Sequence, residues 1–291
     1  MFYTIKELIE QSKAYPSVAE LMIATEIDNT GRNKQEIRQL MERNLEAMEA
    51  SINKGVAGVK SLTGLTGGEA KKMDDYLQAG NFLSGDLVVT AVRNAIAVNE
   101  VNAGMGLICA TPTAGSAGVL AGVLFAIRDR LGLSHDQQVD FLFTAGAFGL
   151  VIGNNAGIAG AEGGCQEEVG SASAMAAAAA VLASGGTVEQ ASYAVAITLQ
   201  NLMGLICDPV AGLVEIPCVK RNAMGASQAM VSADMALAGL TSVIPTDEVI
   251  EAVRRVGEQM PSAFKETAEG GMATTPTALR LKEEIWGTDD K

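Results

Sequence analysis

Long alanine runs broken by glycine, with few aromatic side chains and almost no strand alternation, are what most constrain this chain. Side chains this small bury little apolar area each, so a core built from them must bring helix backbones close together through Gly, Ala and Ser faces. Hydrophobic residues make up 48% of the sequence but aromatics only 4%, and there are 32 glycines. The expectation is an all-α fold: a single tightly packed, Gly/Ala-rich helical domain over residues 1–291. Periodicity places several helices. Ile37, Leu40, Met41, Leu45, Met48 and Ile52 recur at helical spacing within 33–53, and Gly55 reads as the stop. Ser134 with Gln137, and Thr187 with Gln190, have the form of capping boxes. The second predicts a helix to about Ile206, ended by Asp208-Pro209. Thr246 reads as the cap of a helix through Val249, Ile250, Val253 and Val256. No repeat of 20–50 residues is evident, and the acidic tail after Trp286 reads as frayed.

Charge and residue scarcity exclude whole classes of chemistry. A net charge of −13 disfavours nucleic acid and anionic membrane surfaces, both of which need basic patches. The start, Met1 to Lys6, lacks the basic-then-apolar pattern of a secretory signal, so a cytoplasmic protein is expected. Four cysteines without such a signal point to buried thiols or metal ligands rather than a disulfide scaffold. Phe141 to Ala161 is the best candidate for a membrane span, but Asn154-Asn155 interrupt it and Glu162 follows. Ser116 to Ile127 is too short, since a span takes about 20 apolar residues. Moreover, no Lys or Arg between Arg130 and Lys220 could orient a span. The single histidine, His135, reads as a first-turn residue, which removes Ser-His-Asp triads and multi-histidine zinc sites. There is no Walker A loop and no dinucleotide fingerprint. Lys71 and Lys72 follow a Gly-rich turn, but their surroundings are helical, unlike the mixed α/β scaffold of a pyridoxal lysine.

Cys165, Cys207 and Cys218 each sit at a break between helical stretches, where glycines such as Gly160, Gly163 and Gly164 permit close approach. Cys109, in the apolar run Gly106 to Ala110, reads as a core thiol. The spacing contains no C-x-x-C, so metal ligation and plain burial both stay open. Were a four-iron cluster bound, three thiolates would leave one iron without a protein ligand, a Lewis acid suited to a hydroxyl leaving group. Residues 131–219 carry eight acidic side chains and no Lys or Arg. Lys220-Arg221 then follow Cys218, either as a surface patch or as the local cations for a substrate carboxylate.

The segments Ser61 to Gly68 (SLTGLTGG), Ala110 to Gly118 (ATPTAGSAG), Gly160 to Gly170 (GAEGGCQEEVG), and Cys207-Asp208-Pro209 through Pro217-Cys218-Val219-Lys220-Arg221-Asn222 resemble the iron–sulfur L-serine dehydratases, in particular the alpha chain of the two-chain bacterial form. The resemblance runs over nearly the whole chain and implies a helical catalytic domain holding a [4Fe–4S] cluster on Cys165, Cys207 and Cys218. It implies L-serine as substrate and pyruvate with ammonia as products. Substrate-binding candidates are Lys220, Arg221 and the hydroxyls of Ser61, Thr63, Thr66, Thr111 and Thr113, with helix-terminal amides after Ser116. Ordinary helix capping is the competing account of those hydroxyls. Single-chain relatives fuse an α/β domain ahead of this one, and some end in a cysteine that reaches the cluster. This chain starts at the catalytic part and ends Asp289-Asp290-Lys291, which implies a separate beta (regulatory) chain, with a higher oligomer open. The residues name no general base, and the partner chain is one source. A cluster-dependent cysteine desulfidase is the nearest alternative, and a non-catalytic helical binding module with structural thiols is the alternative of another class.

Overall fold

Every residue from Cys165 to Val181 is buried, so the helix they form has no solvent face. A helix apolar all round belongs inside a core, and the alanines from 176 to 180 let its neighbours approach closely. The protein was analysed as a computed structural model that describes residues 1–287. The last four residues of the acidic tail lie outside the described residues. In chain order the helices are α1 (Ile5–Ser12), α2 (Val18–Thr30), α3 (Lys34–Ala57), α4 (Glu69–Ala79), α5 (Asp86–Ala103), α6 (Ala117–Leu131) and α7 (His135–Ala156). They continue as the single turn α8 (Gly160–Gly163), then α9 (Cys165–Ala183), α10 (Val188–Leu202), α11 (Cys218–Leu237), α12 (Thr246–Gln259) and α13 (Pro276–Trp286). Among the described residues the fold is all-α. The extended pairing is limited to isolated bridges, Lys60 with Gly67 and Cys207 with Lys265.

The central helix α9 is enclosed by α6, α7, α10 and α11, and α5 forms a second hub against α3, α4, α6 and α11. Glycine sets the spacing around that hub. A Cβ on Gly118 of α6 would lie 2.3 Å from the carbonyl oxygen of Ala95, and one on Gly55 of α3 would lie 2.3 Å from that of Ala97. Gly55 is therefore a packing residue within α3 and does not stop the helix, which runs on to Ala57.

The capping boxes at Ser134 and Thr187 form as the sequence predicts, and Asn33 with Glu36 makes a third. Two boundaries differ. Helix α10 ends at Leu202 rather than near Ile206, because the start of α9 captures the chain: Gly204 N donates to Gln166 Oε1 and Gln166 N to Leu205 O, both at 2.9 Å. Thr246 does not cap α12. Pro245 holds that position, and the buried Thr246 hydroxyl donates to the Ser192 carbonyl of α10 at 2.9 Å. Helix α7, which overlaps the apolar stretch 141–161, is long and apolar enough to cross a membrane, yet Phe141, Phe148 and Ile152 are buried in the bundle core.

Candidate functional site

Helices α9 and α11 run side by side in the same direction. Gly225, seven residues into α11, lies against Val169 and Ser173, four and eight residues into α9. Their N-termini therefore open on the same region, and the first residue of each is a cysteine, Cys165 and Cys218. The positive ends of two helix dipoles favour negative charge there. Gly164 delivers the chain to Cys165 with φ +80°, and a Cβ on it would meet Leu205 O at 2.9 Å, so the left-handed approach needs glycine. Cys207 comes from a separate strap, tied by its N–H to Phe264 O (2.8 Å) and by its carbonyl to Glu266 N (2.9 Å).

All three cysteines are buried and free. Cys165 Sγ, Cys207 Sγ and a carboxylate oxygen of Glu168 lie within 4.8 Å of one another. Cys218 lies outside that group at the head of the adjacent helix. The Cys207 thiol donates to Cys165 and lowers its pKa against the opposing cost of burial, with Arg221 adding to the effect. Cys207 is pushed up by the same bond, and Cys218 by burial and the charge on Cys165.

Arg221 is the half-buried cation of the site. Its Nη1 donates to Ile206 O (2.8 Å), reaches Cys165 Sγ at 3.7 Å and lies 2.7 Å from Asp208 Oδ1. The Asp208 contact is off the N–H axis and is an ion pair rather than a hydrogen bond. Burial would weaken Arg221's hold on its proton, but the charges of Cys165 and Asp208 more than offset it. Lys220, by contrast, is exposed and paired with Glu69 at 2.7 Å.

Two loops complete the site. In the first, Thr113 donates a short hydrogen bond to Glu168, whose carboxyl pKa burial raises. The backbone is fitted around Glu168: a Cβ on Gly115 would lie 2.4 Å from Oε1, and one on Gly160 would lie 3.3 Å from Oε2 and 3.1 Å from Cys207 Sγ. The buried Asn222 of α11 ties this loop down, donating to Gly115 O (2.7 Å) and Cys218 O (2.9 Å) and accepting from Gly118 N (3.1 Å). The Thr111 hydroxyl makes only a long contact, 3.5 Å, to Ala117 O, while its carbonyl accepts from Ser116 Oγ at 3.2 Å. In the second loop, Ser61 Oγ accepts from Gly64 N at 3.1 Å, and Thr63 Oγ1 donates to Glu215 at 2.7 Å. The Thr66 hydroxyl is buried without a partner. With Thr63 on Glu215 and Glu69 on Lys220, this loop is anchored on both sides of Cys218. None of these five hydroxyls accepts a helix-capping bond: the N-cap positions of α4 and α6 are Gly68 and Ser116, neither with a side-chain cap.

The structure corrects the reading of Cys109 as a core helix thiol. It is half-buried on the irregular segment after α5, because the helix ends at Ala103 and Met105 turns the chain with φ +58°. Glu168, Asp208, Glu215 and Asn222 are site residues that sequence reasoning did not single out. Across the molecule, a polar cavity of about 420 Å³ gathers Arg93, Arg128 and Arg130. Those guanidiniums are taken up by Asp74, Glu49 and Asp86, leaving no free cation there for an anion.

Three free, buried thiols beside helix N-termini, with a glycine where a Cβ would crowd one sulfur, make a donor set that suits a thiolate-ligated metal group. Fold and site together define an all-helical protein with a buried group of free cysteines. The match to a family profile described as serine dehydratase alpha chain covers residues 13–273, and the chain belongs to that family. It is 58% identical to a probable L-serine dehydratase alpha chain of Bacillus subtilis, over 99% of this chain and 96% of that one. It is 40% identical to an L-serine dehydratase alpha chain of Peptoniphilus asaccharolyticus, over 98% of both. A longer L-serine dehydratase of Streptomyces coelicolor is 38% identical over 88% of this chain and 57% of its own length.

Proposed function

We propose that this chain is the catalytic subunit of a cytoplasmic, pyridoxal-independent L-serine dehydratase. It would convert L-serine to pyruvate and ammonia together with a separate beta chain. The observation that carries the reading is the meeting of two buried thiols from separate segments, Cys165 and Cys207, with Glu168, beside Arg221 and with the buried Cys218 heading the adjacent helix, in a member of this family. Cys165, Cys207 and Cys218 would hold a [4Fe–4S] cluster. Bound there, the cluster supplies Lewis acidity for a hydroxyl leaving group.

The chain's own residues do the rest. Burial of the three cysteines keeps water from the sulfurs, and Arg221 offsets the charge of Cys165 and Asp208, which lets an anionic centre persist inside the protein. Thr113 fixes Glu168 against the sulfurs. Because Arg221 is engaged by Asp208 and Ile206, Thr63 by Glu215 and Thr113 by Glu168, the substrate carboxylate falls to the hydroxyls of Ser61, Thr66 and Thr111 and to the exposed Lys220, whose solvent-facing pair with Glu69 can exchange. Turnover assays of the anaerobic complex test this: pyruvate and ammonia from L-serine are expected in equal amounts. Sulfide from L-cysteine with no pyruvate from L-serine would replace this reading with the desulfidase.

A further inference from the structure

Buried polar atoms without a partner are rare, and they mark places that a ligand, ion or water completes. Among the described residues, three such atoms gather on one loop and the segment it packs against: Thr66 Oγ1, Glu69 Oε2 and Glu215 Oε2. Glu69 already holds Lys220 through its other oxygen. Glu215 is different. It is 5% exposed, its Oε1 accepts from Thr63 Oγ1, its Oε2 is unpartnered, and no Lys or Arg among the described residues pairs with it. The two nearest cations in sequence are engaged elsewhere, Lys220 by Glu69 and Arg221 by Asp208.

A carboxylate oxygen can only accept hydrogen bonds, so what completes it must bring N–H or O–H donors, and a positive charge would repay the burial. We propose that Glu215 binds the α-ammonium group of the amino-acid substrate, with Thr63 aiming the carboxylate. This rests on the reading that the substrate is an amino acid such as L-serine. The position in the chain supports it. Glu215 lies three residues before Cys218, and its carbonyl accepts from Val219 N at 3.1 Å, which fixes it beside the first turn of α11. Of the hydroxyls left for the substrate carboxylate, those of Ser61 and Thr66 lie on the loop that Glu215 grips. An anionic and a cationic group read at one loop give two-point recognition, which a hydroxy acid lacking the amine cannot satisfy.

The test compares L-serine with L-glycerate, its analogue bearing hydroxyl in place of the amine. Binding of both to the anaerobic holoenzyme is measured by rapid mixing, before turnover, for wild type, Glu215→Gln and Glu215→Asp, with iron content as the check on folding. Glu215→Gln should weaken L-serine about ten-fold or more and leave L-glycerate within about two-fold, with Glu215→Asp between, since one charge-assisted bond is removed. Equal weakening of both ligands would assign Glu215 a structural role and overturn the proposal, as would unchanged L-serine binding. Pyruvate formation by wild type reports on the reaction separately. Its absence alongside amine-dependent binding counts against the dehydratase reading and for the subsite. Binding of neither ligand by wild type overturns both.

Discussion

Replacing Gly118 with alanine would put a methyl group where the backbone of α5 already lies. The new Cβ would sit 2.3 Å from Ala95 O and 2.5 Å from Asn99 Nδ2, about 1 Å short of ordinary contact. Alanine in a helix interior favours the fold by about 1 kcal/mol over glycine. Overpacking against a rigid neighbour costs about 1–3 kcal/mol and sometimes more. Because the atom met first is a backbone carbonyl within a helix, the upper end applies and the net loss should be about 2 kcal/mol. With an unfolding entropy near 2.1 cal/mol/K per residue, that is a fall in Tm of about 3 °C. Gly146→Ala is the control: nothing lies within 4 Å of a Cβ there, on helix α7. It should gain about 0.5–1 kcal/mol and raise Tm by about 1 °C. Both variants are melted by circular dichroism at one scan rate, so that irreversibility affects them equally. If Gly118→Ala melts at or above wild type while Gly146→Ala behaves as expected, close backbone packing does not organise this core.

Three further predictions concern the site. Arg221→Ala strands the buried Asp208 carboxylate, so it should destabilise by about 3–5 kcal/mol and lower iron retention; a wild-type urea midpoint would show that the pair holds nothing. Thr113→Val removes the donor to Glu168 and should cost about 1–3 kcal/mol and lower turnover at unchanged iron content; wild-type stability and turnover would count against that role. Cys109→Ser should keep full iron and full turnover, since burial alone raises the pKa of the Cys109 thiol, whereas the charge on Cys165 also acts on Cys218; loss of iron would bring it into the centre.

Local signals made much of the fold legible. The apolar stripe of α3 and the capping boxes of α7 and α10 are written within a few residues of one another, and the structure follows them. Reading went astray where a distant segment decides the outcome. Gly55 looks like a helix stop until α5 is seen pressing on it. The end of α10 is set by Gln166, on another helix, and Thr246 spends its hydroxyl on Ser192 rather than on a cap. The site divides in the same way. Cysteines at breaks stand out in sequence, and the motif segments around them carry the family. Glu168, Asp208 and Glu215 look like any acid near a turn, and only burial and unmatched oxygens single them out. Lys220 and Arg221 are adjacent in sequence, yet one faces solvent on Glu69 and the other is half-buried against the buried Asp208.

The most direct test of the central claim is iron and acid-labile sulfide in the anaerobically purified protein, with the visible spectrum, for wild type and for Cys165→Ser, Cys207→Ser and Cys218→Ser. The account predicts about four irons per chain in wild type, a broad charge-transfer absorption bleached by air, and loss of both in each variant. A colourless, iron-free wild type that stays folded, or a variant lacking one of these cysteines that keeps its full complement of iron, would contradict it.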